Sequence, residues 1–275
     1  MVEPAFPASD AAADAGPPPA VLTALEAPRA LAEYAGFAAV AGLLGVRQNG
    51  GGRPVLVLPG LLAGDGSTRA LRRLLRLAGY APYGWGLGTN VGPTKRIVGG
   101  MDDLLGEITD RHGRTVSIIG WSLGGMFGYD LAGRHRGAVD RLITLGSPLY
   151  LADPRQSRGS RFYDGYAPAH LADYSLDGWR KPAGLAVPAT SIFSKTDGIV
   201  RWQTCVHPPG PLAENIEVYG SHCGLGFHPA AAYAILDRLA APGDPWHKFV
   251  APAWLAIHFP AQHIRTPDNR VNAIA

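Results

Sequence analysis

Short unbroken apolar runs alternate with stretches of helical period along most of this chain. Pro54-Val55-Leu56-Val57-Leu58 is apolar throughout and of strand length, the pattern of a strand buried on both faces. Residues 115–119, 141–145, 190–193 and 216–219 read the same way, and residues 80–83 as a shorter strand. Between them lie helical patterns. Residues 67–78 gather Ala70, Leu71, Leu74, Leu75 and Ala78 on one face and Arg69, Arg72, Arg73 and Arg76 on the other, a solvated basic face. Residues 97–112 turn Leu104, Leu105 and Ile108 inward, and residues 124–136 and 229–239 supply two further helices. Strands alternating with helices predict a mostly parallel central sheet with helices on both faces.

Two regions leave this rhythm. Residues 150–188 are polar and aromatic (Arg155, Arg158, Arg161, Phe162, Tyr163, Tyr166, Tyr174, Trp179) and longer than an ordinary connection, so they read as an inserted lid. Residues 31–44 are apolar but number only 14, short of a bilayer span, and predict a helix packed on the domain; an interfacial membrane anchor is the alternative. The resulting division is a disordered leader at 1–20, a helical segment at 21–52, a core at 53–149 and 189–240, the insertion at 150–188, and a tail at 241–275 packing on the core.

Composition narrows the class of protein. With 47% hydrophobic and 17% charged residues over 275 positions, the chain is a folded globular protein with a sizeable core. A net charge of +3 does not suggest a nucleic-acid partner, and two cysteines exclude a disulfide-dense scaffold or a Cys₄ zinc site. Residues 1–20 carry neither a basic segment nor an apolar core, so no secretory signal is read there and a cytoplasmic location is expected.

The chemistry centres on Gly120-Trp121-Ser122-Leu123-Gly124. The G-x-S-x-G pattern alone is cheap, but here a buried strand runs into it and a helix follows. That context is a nucleophile elbow, which forces Ser122 into a strained turn at a helix N-terminus. A serine hydroxyl needs a base. Among nine histidines, His222 is best placed, in the loop Gly220-Ser221-His222-Cys223-Gly224 after a strand; His228 is its rival. Asp197, in a turn after an apolar strand, completes the chain order Ser…Asp…His, and would fix the imidazole tautomer and stabilise the imidazolium. An oxyanion needs two N–H donors, expected from Leu123 and from Leu61 in Leu58-Pro59-Gly60-Leu61-Leu62, with Leu62 as fallback.

In these motifs the sequence, over roughly residues 53–239, resembles the α/β-hydrolase superfamily, and within it the bacterial lipases and esterases whose oxyanion loop begins with Pro-Gly rather than His-Gly. The resemblance implies a serine hydrolase acting on small-molecule or lipid-like carboxylic esters through an acyl-enzyme, with no cofactor and no metal. An acyltransferase using the same acyl-enzyme is the alternative. Trp121, Leu62, Trp85, Tyr163 and Tyr166 are the expected substrate-lining residues, and transient contact with a lipid interface through the aromatic tail is a further expectation. Cys205 and Cys223 each lie near a triad candidate. Pairing them predicts a disulfide and an extracytoplasmic setting; two thiols are the alternative.

Overall fold

The computed structural model describes residues 16–46, 48–151, 153–174, 185–243 and 245–260. Its centre is a sheet of six strands: β1 (Pro54–Leu58), β2 (Ala81–Tyr83), β3 (Val116–Trp121), β4 (Val139–Leu145), β5 (Ala189–Phe193) and β6 (Ala213–Glu217). The spatial order is β2-β1-β3-β4-β5-β6, and every pairing is parallel. Successive side chains of a strand face opposite ways, so the sheet feeds two cores. Val55, Val57, Ile119 and Ile143 enter one, and Leu56, Leu58, Ile118 and Leu142 the other. That is why these strands read as continuous apolar runs.

The helices are α1 (Ala20–Ala24), α2 (Glu26–Val46), α3 (Arg69–Leu77), α4 (Lys95–His112), α5 (Leu123–Arg134), α6 (Ser160–Gly165) and α7 (Pro229–Ala240). Helices α4 and α5 cover the core that holds Leu56 and Ile118, and α2, α3 and α7 the other. Thr94 caps α4 by accepting from the Ile97 N–H at 3.3 Å, and Gly113 ends it in the left-handed conformation.

Two elements differ most from the sequence reading. Strand β6 begins three residues earlier than expected because Glu214 is buried within it. Its carboxylate accepts from Thr190 Oγ1 at 2.6 Å and from the Phe249 N–H at 2.7 Å, and pairs with Arg238. A paired buried carboxylate leaves no apolar signal. The N-terminal helix runs 21 residues, not 14, and is long and apolar enough to cross a membrane by length and composition. It packs on α3 and α7, with Phe37 in the core and Ala41 and Leu44 against it. Glu26, Arg29 and Glu33 bond to the loops after β5 and β6, while Leu31, Leu43 and Val46 are exposed.

The insertion after β4 contains α6 and short 3₁₀ turns. It is tied to the core by His170 Nε2 against the Val91 carbonyl (2.8 Å), by the Leu171 N–H on the Pro93 carbonyl (3.0 Å) and by Tyr174 Oη on Asp130 (3.1 Å). Trp179 and the rest of 175–184 lie outside the described residues, as do residues 1–15 of the leader and 261–275 of the tail. The described tail packs on the core through Phe249, Ala251 and Phe259, with Trp254 exposed at the edge of the Tyr233 ring.

Candidate active site

An all-parallel sheet brings every strand's C-terminal end to one edge, and the chemistry-bearing residues follow those ends. Ser122 comes directly after β3, Pro59-Gly60 after β1, Asp197 after β5 and His222 after β6.

Ser122 is half-buried at φ 52°, ψ −122°, one of two non-glycine residues with positive φ among those described. Its N–H donates to the Leu145 carbonyl at 2.8 Å. The turn closes only because its neighbours lack Cβ atoms. A Cβ on Gly120 would lie 2.4 Å from the Gly124 carbonyl oxygen, and one on Gly124 would lie 2.4 Å from the Leu58 carbonyl oxygen. The loop after β1 approaches from the side: a Cβ on Gly60 would stand 3.3 Å from Ser122 Cβ.

The acid–histidine pair forms at 2.6 Å between Asp197 Oδ2 and His222 Nδ1, with both residues buried. The other Asp197 oxygen accepts from the N–H groups of Ile199 (2.8 Å) and Val200 (2.7 Å), so the carboxylate is fixed from both sides. Burial works against the charged imidazolium. The Asp197 charge, its hydrogen bond and the Glu26 charge outweigh it, and His222 is held above the ordinary histidine pKa. His228, the rival, caps α7 by accepting from the Ala231 N–H, and burial pushes its pKa down to about 4.

The two expected oxyanion donors are the N–H groups of Leu123, next after the nucleophile, and of Leu61, next after Gly60. The Leu123 N–H opens α5 and so has no partner four residues back in the helix. Among the described residues the Leu61 N–H has no hydrogen-bond partner. The fallback is excluded, because the Leu62 N–H donates to the Asn90 carbonyl at 2.7 Å. Asn90, fully buried, also donates from Nδ2 to the Pro59 carbonyl at 2.8 Å and thus splints this loop. The sequence reading missed Asn90, whose only signal is a polar residue in a Gly-rich stretch.

Several expected substrate contacts lie elsewhere. Trp121 is buried beneath the site, edge-on to Phe227, and its indole N–H donates to the His222 carbonyl at 3.1 Å. It therefore holds the histidine loop rather than lining a cleft. Trp85 is a core residue, 1% exposed, with its indole N–H on the Gly88 carbonyl at 2.9 Å. Tyr163 lines a cavity of about 280 Å³ within the insertion, together with Ala167, His170, Leu171 and Tyr174. Burial pushes its phenol up to about 12. Tyr166 is exposed and does not line that cavity, and Leu62 is exposed on the loop after β1. A Cβ on Gly159 would be 3.6 Å from Leu61 Cδ2, so the insertion does reach the candidate oxyanion loop.

The expected disulfide is absent. Cys205 is buried with Phe193 and Val200, whereas Cys223 is exposed, so the two thiols occupy different environments.

No family model matches the chain. It is 28% identical over 190 residues to a pimeloyl-acyl-carrier-protein methyl ester esterase of Aromatoleum aromaticum, covering 65% of this chain and 72% of that protein. It is 31% identical over 106 residues to a Yersinia enterocolitica protein named as a candidate carbamate hydrolase, RutD, covering 36% of this chain and 38% of that one. Among solved structures, lipase B of Aspergillus fumigatus superposes with a TM-score of 0.53 at 17% identity, covering 71% of this chain and 54% of the lipase. The chain thus spans about half of that lipase and just over a third of the Yersinia protein. The likeness in structure is one of fold, and the fold is that of the α/β-hydrolases.

Proposed function

We propose that this protein is a serine hydrolase of carboxylic esters, with Ser122 as nucleophile, His222 as general base and acid, and Asp197 as the group that orients and stabilises the imidazolium. The observation that carries the reading is the 2.6 Å Asp197–His222 pair on the same sheet edge as a serine strained to φ 52°. Esters are the favoured substrate because the sequence relative with the longer match is named for a methyl ester esterase.

In this mechanism Ser122 Oγ attacks the ester carbonyl as His222 takes its proton. The tetrahedral oxyanion lies between the Leu61 and Leu123 N–H groups, at the positive end of α5. His222 then protonates the departing alcohol, leaving an acyl group on Ser122. Water, deprotonated by His222, releases the acid and restores the serine. Asp197 holds the Nδ1 proton throughout, so Nε2 is the nitrogen that exchanges protons with Ser122 and substrate.

The test is initial rates on p-nitrophenyl esters from C2 to C16, for wild type and Ser122→Ala. The expected result is turnover with an optimum between C2 and C8 that Ser122→Ala abolishes. An optimum at C12 or longer would replace the esterase reading with a lipase one. Turnover that survives Ser122→Ala would overturn the assignment.

A further inference from the structure

Helix α2 reaches the catalytic edge with its charged residues. Glu26 is 4% exposed. Its Oε1 accepts from the Gly198 N–H (2.8 Å) and the His222 N–H (3.0 Å), and its Oε2 from the Cys223 N–H (2.8 Å). Two turns on, Glu33 accepts from the Ser221 N–H at 2.7 Å and the Ser221 hydroxyl at 2.6 Å. Between them Arg29 donates to the Thr196 carbonyl (2.7 Å) and Thr196 Oγ1 (2.8 Å). The three consecutive N–H groups of 221–223 thus all end on carboxylates of a helix about 190 residues away in sequence. The segments after β5 and β6 also touch through Thr196 Oγ1 on the Gly220 carbonyl and through the Gly220 N–H on Ser194 Oγ, but both bonds are neutral.

The residue type matters. A carboxylate only accepts, and offers enough lone pairs for three converging N–H donors. A glutamine would aim its own NH₂ at one of them. Bonds to a charged acceptor are also roughly twice as strong as neutral ones.

We propose that Glu26 is a positioning residue of the triad: it clamps the Asp197 and His222 loops to each other and sets a fixed negative charge beside the imidazole. The proposal rests on the assignment of His222 as the base. The titratable groups facing His222 are Asp197 from the loop after β5, Glu26 from α2, with Glu33 and Arg29 further along that helix, and Cys223 next in the chain. Glu26 adds to Asp197 in favouring the imidazolium, so its removal should make His222 a weaker base.

The test compares Glu26→Gln, Glu26→Asp and wild type as full-length chains. Two readouts are taken: the pH titration of the His222 imidazole by NMR, and kcat and KM for p-nitrophenyl butyrate. For Glu26→Gln the titration midpoint should fall by at least half a pH unit. Its kcat should drop about tenfold or more, while KM stays within about twofold. Glu26→Asp keeps the charge on a shorter arm, so it should retain most of the midpoint and lose part of kcat. A folded Glu26→Gln with wild-type midpoint and wild-type kcat would overturn the proposal. Should Glu26→Gln not fold, wild-type kcat in Glu26→Asp would overturn it instead. The titration needs no substrate, so failure of the wild type to hydrolyse any ester would count against the hydrolase reading alone.

Discussion

The two halves of the site are held by different forces. On the nucleophile side, the strained turn at Ser122 is enforced by packing. Gly120 and Gly124 let β3, α5 and the end of β1 come closer than any side chain would permit. On the acid–histidine side close packing recurs, since a Cβ on Gly198 would lie 2.5 Å from the Leu22 carbonyl oxygen, but electrostatics is added to it. Asp197, Glu26 and Glu33 accept hydrogen bonds from eight backbone N–H, imidazole and hydroxyl groups in the loops after β5 and β6. A site built this way should break sterically at the nucleophile, and through charge as well on the acid–histidine side.

The largest effect belongs to the nucleophile itself. Ser122→Ala should lower kcat by about 10⁴-fold or more without changing the melting temperature, measured by steady-state kinetics and calorimetry. Retained activity would place the nucleophile elsewhere. The steric claim is sharpened by Gly124→Ala, whose Cβ would overlap the Leu58 carbonyl. It should cost about 3 kcal/mol or more in urea unfolding, above the usual range for overpacking because backbone, not a side chain, is in the way. Asn90→Ala removes the splint under the oxyanion loop and leaves the Pro59 carbonyl unpaired. It should cost about 1–3 kcal/mol of stability and reduce kcat more than it raises KM.

The charged side responds to pH. His222 has a raised folded pKa, so kcat/KM should climb as pH rises through a midpoint above about 6.5, where the imidazole becomes a free base. In stability the same shift acts the other way: its contribution is fully present below about pH 6.5 and is lost as pH rises through the folded midpoint. His228, lowered to about 4, has the opposite sign: its contribution is present above about pH 6.5 and is lost as pH falls toward 4. His228→Asn keeps a helix cap but not the titration, so its stability should fall less steeply than wild type over that window in pH-dependent unfolding. The smallest expectation concerns the thiols. Cys223 is exposed, but burial and the Glu26 carboxylate push its thiol up to about 12, so it should react slowly with a thiol reagent in the native state, and Cys205 only after unfolding. Two unreactive thiols that are released by reductant would restore the disulfide.

The same contrast explains what could be read from the sequence. The strands, the elbow and the order Ser122…Asp197…His222 depend on local signals: apolar runs, glycines at fixed offsets, a turn after a strand. The contributions of Glu26, Glu33 and Asn90 depend on contacts that span from 31 to 197 residues in sequence. The apolar helix reads as one packed on the domain, and nothing local says that its three charges bond to distant loops. Trp121 and Trp85 read as substrate-lining for a related reason: a tryptophan in a Gly-rich turn has no local mark showing that its ring is buried. The start of β6 was hidden by the paired carboxylate of Glu214.

The central claim is that Ser122 is a nucleophile activated by His222. Its most direct measurement is labelling with a fluorophosphonate, the adduct mapped by peptide mass spectrometry in wild type and His222→Ala. A single adduct on Ser122, formed about 10³-fold or more slowly in His222→Ala, is the predicted result. An adduct on another residue, or labelling of Ser122 at the same rate without His222, would contradict it.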